Sequence, residues 1–449
     1  MTAPSRMTPR GRDTAPGLVR LARLCGPLLA AILAACEPRA SDVATPASTP
    51  APVRSNAPDV WLGAEPPPPP SAAPAPPPPV TDDGQGKDFA DEVRLLHRVA
   101  ACGSDAPLPP DLDAATVKAH CDEIRPRIEA YKKRFIAVAR PFLTALAPPD
   151  LPEKVVYPFG GGDLLTALTT YPSAREITTL SLELVGDPRR IRGMSQPALE
   201  RSLRQFRAEL GELLWSLDFS RSETLKKTQR GDIPGELGLF LVGLSIHGYE
   251  PVSLRYFNLV PDGSIHYLTE HEITESDHVL ARNRKATWTP PDFSESFANA
   301  EITFRPAGST GEPLRIHRHL AQNLSDDPIT ANPAFLRHLE QKGQVAAMTK
   351  AASYLLWNDA FSKVRGYLLD HMAFMISDST GIPPSFAGRA GFVQETYGTF
   401  RGSLLRASPA HNRDFTRLWK SQPHRKLAFP YGYLSGRQAH LVVTRKPAP

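Results

Sequence analysis

The chain has 449 residues, with 52 Lys and Arg against 47 Asp and Glu and a formal net charge of +5. Five arginines (Arg6, Arg10, Arg12, Arg20, Arg23) and one acid (Asp13) fall in residues 1–35, so the remainder is balanced to within one charge. That balance excludes the basic footprint of a DNA- or RNA-binding protein, and no nucleic acid is expected as a partner.

Residues 1–35 join the arginine-rich start to an apolar stretch, Leu24 to Ala35, cut by Gly26-Pro27. It is too short to span a bilayer, which needs about 20 apolar residues. It closes on Leu33-Ala-Ala-Cys36, which resembles the lipobox of bacterial lipoproteins. The resemblance implies a signal peptide over 1–35, cleavage before Cys36, a diacylglyceryl group on the Cys36 thiol, and the membrane as a partner through that lipid. The implied location is the bacterial cell envelope, with the leaflet left open. The other reading of this stretch is a buried helix of an ordinary domain.

Residues 36–87 read as a disordered Pro/Ala-rich linker, with Pro66 to Pro70 and Pro76 to Pro79 as its stiffest parts. In polyproline II such a stalk could space a domain on the order of 100 Å from its anchor. Residues 88–150 read as a helical segment carrying Cys102 and Cys121. In an oxidising compartment these two form a disulfide, worth about 3 kcal/mol for a loop of this size, with metal binding beside His120 as the rival. An apolar stripe from Val117 through Cys121, Ile124, Ile128, Tyr131, Phe135, Val138 and Phe142 predicts a helix bent by Pro126 and Pro141.

Residues 151–449 read as one α/β domain, Rossmann-like, doubly wound on a mixed sheet. Lys154 to Phe159 predicts a strand, Gly160 to Gly162 a tight turn, Asp163 the N-cap of a helix stopped by Pro172, and Ile177 to Val185 a second strand. This is a βαβ unit. Helices are expected after Ser195, over Pro234 to Gly248 and over Tyr354 to Leu369. A hairpin is expected over Val252 to Leu268, turning at Pro261-Asp-Gly263. Further strands are expected at Ala300 to Arg305, Pro313 to His319, Phe374 to Ser377 and His440 to Arg445.

Gly160, Gly161, Gly162 and Asp163 stand at the carboxyl end of the first strand, where a doubly wound sheet holds its ligand, and Glu183 ends the next strand about 20 residues on. The block resembles Rossmann-like proteins, particularly S-adenosylmethionine-dependent methyltransferases. It departs from them at Leu165, where a dinucleotide fingerprint has its third glycine, and at Pro158, where methyltransferases carry an acid. An exported domain rarely meets nucleotide cofactors, and no cofactor is expected. The alternative is that the glycines serve only the turn.

Asp378 and Ser379, in Ser377-Asp-Ser-Thr-Gly381, follow another apolar strand, so Asp163, Glu183 and Asp378 could converge in one crevice and share acid–base work. A plain strand-end turn is the alternative. Gly243-Leu-Ser-Ile-His-Gly248 has a nucleophile-elbow flavour with its second glycine one place late. His266, His271, Glu272 and His278 are expected on the hairpin and its polar loop, and His317 and His319 on one face of a strand. Tyr157-Pro-Phe-Gly-Gly-Gly-Asp163 with Leu182-Glu-Leu-Val-Gly186, Lys350-Ala-Ala-Ser-Tyr-Leu-Leu356, Ile376-Ser-Asp-Ser-Thr-Gly-Ile-Pro383 and Tyr431-Gly-Tyr433 together resemble a group of uncharacterised bacterial exported proteins. That resemblance implies one continuous domain and no particular activity.

The reading is therefore a lipid-anchored envelope protein, either non-catalytic or binding a small ligand or an envelope protein through Gly160–Asp163, Glu183, Asp378 and Ser379. An enzyme, with a repurposed methyltransferase-like fold or as a hydrolase using strand-end carboxylates, is the alternative class. A tethered scaffold for protein contacts is the third.

Overall fold

The computed structural model describes residues 86–211, 233–283, 294–402, 409–432 and 439–447. The chain divides into two units, Met1–Pro77 and Pro78–Pro449, and the described residues lie in the second. The expected signal peptide, Cys36 and the linker up to residue 85 fall outside the described residues.

Three helices come first: α1 (Ala90–Val99), α2 (Ala114–Tyr131) and α3 (Ala137–Leu146). Asp113 caps α2 by accepting from the Thr116 amide. Pro126 lies inside α2 and Pro141 inside α3. A π-helical turn, Lys132–Ile136, joins α2 to α3, and such insertions shift the apolar stripe without ending the helix. Cys102 and Cys121 are disulfide-bonded, with their Cα atoms 5.7 Å apart, and staple the loop after α1 onto α2.

The βαβ unit follows as β1 (Lys154–Pro158), α4 (Leu164–Thr170) and β2 (Glu176–Ser181). Both strands are shorter than the sequence suggests. Phe159 turns left-handed (φ 60°) and ends β1, while Leu182 to Val185 leave the sheet. Next come α5 (Gln196–Leu210), α6 (Gly235–Ile246) and the hairpin β3 (Tyr249–Leu259) and β4 (Ile265–Tyr267). The sequence then forms α7 (Glu270–Asn283), so His271, Glu272 and His278 sit on a helix and not on a loop. Thr269 nucleates it, its amide and hydroxyl donating to the Glu272 carboxylate.

The remainder runs β5 (Ala300–Pro306), β6 (Arg315–Ala321), α8 (Asp326–Ala331), α9 (Pro333–Glu340), β7 (Val345–Thr349), α10 (Ser362–His371), β8 (Met372–Ser377), α11 (Pro384–Arg389), β9 (Val393–Gly398), α12 (Pro409–Lys420) and β10 (His440–Arg445). The single helix expected over Tyr354 to Leu369 is instead two 3-10 turns, Leu355–Trp357 and Asp359–Phe361, before α10. Tyr354, left-handed at φ 60°, prevents a continuous α-helix there.

Among the described residues one ten-stranded sheet has the order β4-β3-β5-β6-β2-β1-β7-β8-β10-β9. The middle five, β6-β2-β1-β7-β8, are parallel, and the strands outside them pair antiparallel. Side-chain alternation divides the core. Val155 and Tyr157 of β1, Ala346 and Met348 of β7, and Phe374 and Ile376 of β8 face α1 to α6; Val156, Ala347 and Met375 face α8 to α11. With helices on both faces, this is a doubly wound α/β domain.

Candidate functional site

Chain order reverses at β1. The chain moves to β2 and β6 on one side, then returns to lay β7 and β8 on the other, so the carboxyl ends of β1 and β7 flank the topological switch point. In such sheets that crevice is where ligands sit. The backbone there is strained. Phe159 after β1, and Ala351, Ser353 and Tyr354 after β7, all have φ between 51° and 60°. Each such non-glycine residue costs of order 1–3 kcal/mol.

The glycine turn is fixed by close packing. Gly161 is left-handed at φ 48°. A Cβ on Gly162 would stand 2.6 Å from Leu239 Cδ1 and 2.9 Å from Glu236 Oε2. Asp163 follows and caps α4, its Oδ1 accepting from the Thr166 amide at 3.1 Å. Its Oδ2 accepts from Tyr157 OH at 3.1 Å and from Lys350 Nζ at 3.0 Å, and Lys350 also donates to Thr166 Oγ1 at 3.0 Å. Lysine and aspartate side chains are 9% and 7% exposed. Beside the pair lies a cavity of about 10 Å³ lined by Tyr131, Asp163, Thr166, Lys350 and Pro430, room for one water.

Asp378 ends β8 and is fully buried. It accepts from the Ala351 amide at 3.0 Å, from the Thr380 amide at 2.8 Å and from the Thr380 hydroxyl, and so ties β8 to the strained turn after β7. Gly432 packs on it closely enough that a Cβ would lie 2.6 Å from Oδ2. Two buried phenols lie near the carboxylates: Tyr157 donates to Asp163, and the Tyr431 hydroxyl has no hydrogen-bond partner. Burial, then the charge of Asp163, pushes Tyr157 well above its ordinary range; burial, then Asp378, does the same to Tyr431. Each ring also feels the other carboxylate, so Asp163 and Asp378 belong to one network.

Ser379 directly follows Asp378 in the chain. Its hydroxyl bonds His440 Nε2 at 2.9 Å and its carbonyl accepts from His411 Nε2 at 3.1 Å, beneath Trp419 and Phe415. Glu183 lies past β2, its carbonyl accepting from His319 Nε2 at 2.8 Å. It faces Glu236 of α6, a fully buried carboxyl with neither oxygen hydrogen-bonded. Burial, then the charges of Glu183 and Glu209, pushes the Glu236 carboxyl well above its ordinary range. The three carboxylates singled out from the sequence thus divide into Asp163 with Asp378, and Glu183 with Glu236.

The other sequence candidates have structural surroundings. His317 Nε2 and His319 Nδ1 share one face and both bond Thr179 Oγ1, at 3.0 and 2.9 Å. Ser245 lies on α6 and His247 caps its end, so no strand-to-helix elbow forms there. His266 pairs with Glu272 at 2.8 Å. Among the described residues no three His, Cys, Asp or Glu side chains group as metal ligands. Sequence reasoning overlooked Lys350, Tyr157, Glu236 and His440. Lys350 was within reach, because it directly follows the apolar run Val345 to Thr349.

No family model matches the chain, and comparison with curated proteins and with solved structures finds no match.

Proposed function

We propose that the chain is a lipid-anchored protein of the bacterial cell envelope, acylated at Cys36, whose doubly wound domain serves as a scaffold or small-ligand binder without a nucleotide cofactor. The anchor rests on the arginine-rich start, the short apolar run and Leu33-Ala-Ala-Cys36. The domain's own partner is then a small ligand or another envelope protein. What supports the cofactor-free reading is the Lys350–Asp163 ion pair, joined by Tyr157 and Thr166, which occupies the carboxyl end of β1 beside a cavity of about 10 Å³. Cofactor-sized pockets run from about 300 Å³ upward.

Mass spectrometry of the protein extracted from membranes tests the anchor, with a diacylated amino-terminal Cys36 expected and an intact Met1 fatal to it. Titration with S-adenosylmethionine tests the domain. No heat of binding is expected, and saturable binding would overturn the cofactor-free reading.

The strained residues Phe159, Ala351, Ser353 and Tyr354 favour a second reading, an enzyme working at these strand ends, because such strain concentrates at functional sites. A hydrolase would draw on Ser379 and its bonded His440. Labelling of Ser379 by a fluorophosphonate, abolished in His440→Ala, would favour it; an unlabelled chain would dismiss it.

A further inference from the structure

The opposite edge of the sheet carries two guanidinium groups with no counter-ion. Arg315 opens β6 and so lies at the amino-terminal end of the parallel strands, away from Asp163 and Lys350. Its guanidinium sits 4.9 Å from the Tyr249 ring centroid and 5.3 Å from that of Phe304, and Nη1 donates to the Tyr249 hydroxyl. These contacts fix the plane of the group. They leave Nε and Nη2, the side-on fork that matches two oxygens of an oxyanion, buried and without a hydrogen-bond partner.

Arg140 of α3 completes the arrangement. Its Nη2 donates to His247 Nδ1, and its Nε is likewise buried and without a partner. Because His247 accepts at Nδ1, its proton is on Nε2, which donates to the Leu165 carbonyl at 3.1 Å. The imidazole is therefore neutral. Burial first, and then Arg140, Arg315 and Lys132, hold its pKa down at about 3. Arg315 is itself lowered, by burial and then by Arg140 and Arg175 after the offsetting help of Tyr249.

No carboxylate balances the two arginines among the described residues. Glu250 pairs with Arg305 at 2.9 Å, Glu153 with Arg175 at 2.9 Å, and Glu129 with Lys132 at 2.8 Å. Two guanidinium charges with buried, unpartnered N–H groups suit an oxyanion such as a phosphate.

We propose that Arg140 and Arg315, oriented by His247 and Tyr249, form a binding site for a phosphate-bearing anion at the amino-terminal edge of the sheet. The anion is either a phospholipid headgroup or a free phosphate or phosphomonoester. The site does not depend on the envelope reading, since its residues lie in the folded domain alone.

The test is equilibrium dialysis of the full chain with inorganic phosphate and, separately, with dihexanoyl phosphatidylglycerol below its micellar concentration, each against sodium chloride of matched ionic strength. Saturable binding of phosphate alone assigns the site to free phosphate chemistry, and preferential binding of the lipid assigns it to a headgroup. Arg315→Gln and Arg140→Gln are each expected to weaken binding at least about tenfold. Thermal denaturation provides a control for folding. Ligand should raise the midpoint of the unsubstituted chain and leave that of the double variant unmoved. Absence of binding by either probe, or binding undiminished in both variants, would overturn the site.

Discussion

Lys350 Nζ stands 3.0 Å from the Asp163 carboxylate, joining the ends of two neighbouring parallel strands whose residues are 187 positions apart in the chain. Both groups are nearly excluded from water, so neither can be removed alone without stranding the other's charge. Lys350→Met is expected to destabilise the domain by roughly 3–5 kcal/mol, and Asp163→Asn by less, because the amide keeps the cap on α4. The double variant should recover much of that loss. A double-mutant cycle by urea denaturation checks this, and additive losses would mean that the pair is not coupled.

How far this was legible follows from which residues carry strong local signals. The glycine turn, the Asp163 cap and β2 announce themselves through spacing and β-branching, and the disulfide through the expectation of an oxidising compartment. Strand β7 does not. Val345-Ala-Ala-Met-Thr349 is buried on both faces and so lacks alternation, and two alanines lower its β-propensity. Without β7 the switch point could not be placed, and Lys350 had no role beyond opening the Lys350–Leu356 block. Glu236 was hidden for another reason: a glutamate in the first turn of a helix ordinarily points to water, and only the tertiary packing of α6 against the glycine turn buries it.

The amino-terminal ends of β2 and β6 hold a buried charge cluster that should govern acid stability. Burial alone would raise Glu176, but Lys342 and Arg318 outweigh it and hold the carboxyl at about 2. A depressed carboxylate stabilises the fold above its unfolded-state pKa and loses that contribution as pH falls through the folded value. Roughly 3 kcal/mol should therefore disappear between about pH 5 and about pH 2. Glu176→Gln should start less stable at neutral pH and lose less on acidification. Denaturation midpoints across that range check this, and parallel curves for the two proteins would refute it.

Removing the disulfide should act through the unfolded chain. Cys102 and Cys121 are 19 residues apart, which gives an entropic contribution of about 3 kcal/mol. Cys102→Ser with Cys121→Ser is expected to lower unfolding free energy by that amount, and reductant should do the same to the unsubstituted protein but nothing further to the variant. Reductant sensitivity in the variant would place the effect elsewhere.

Glu236 supplies the opposite pH dependence from Glu176. Its folded-state pKa is raised, by burial and then by Glu183 and Glu209, so the neutral carboxyl is the form that the fold accepts. A raised carboxyl contributes fully below its unfolded value and progressively less as pH climbs toward the folded one. The unsubstituted protein should therefore lose stability through this group as pH rises above the ordinary carboxyl range. Glu236→Gln keeps the shape and cannot ionise in either state, so it should match the unsubstituted protein in the ordinary carboxyl range and exceed it increasingly as pH rises above it. Urea titrations at intervals of pH through and above that range measure the difference. A gap between the two proteins that stays constant with pH would show that Glu236 ionises as freely in the folded chain as in the unfolded one.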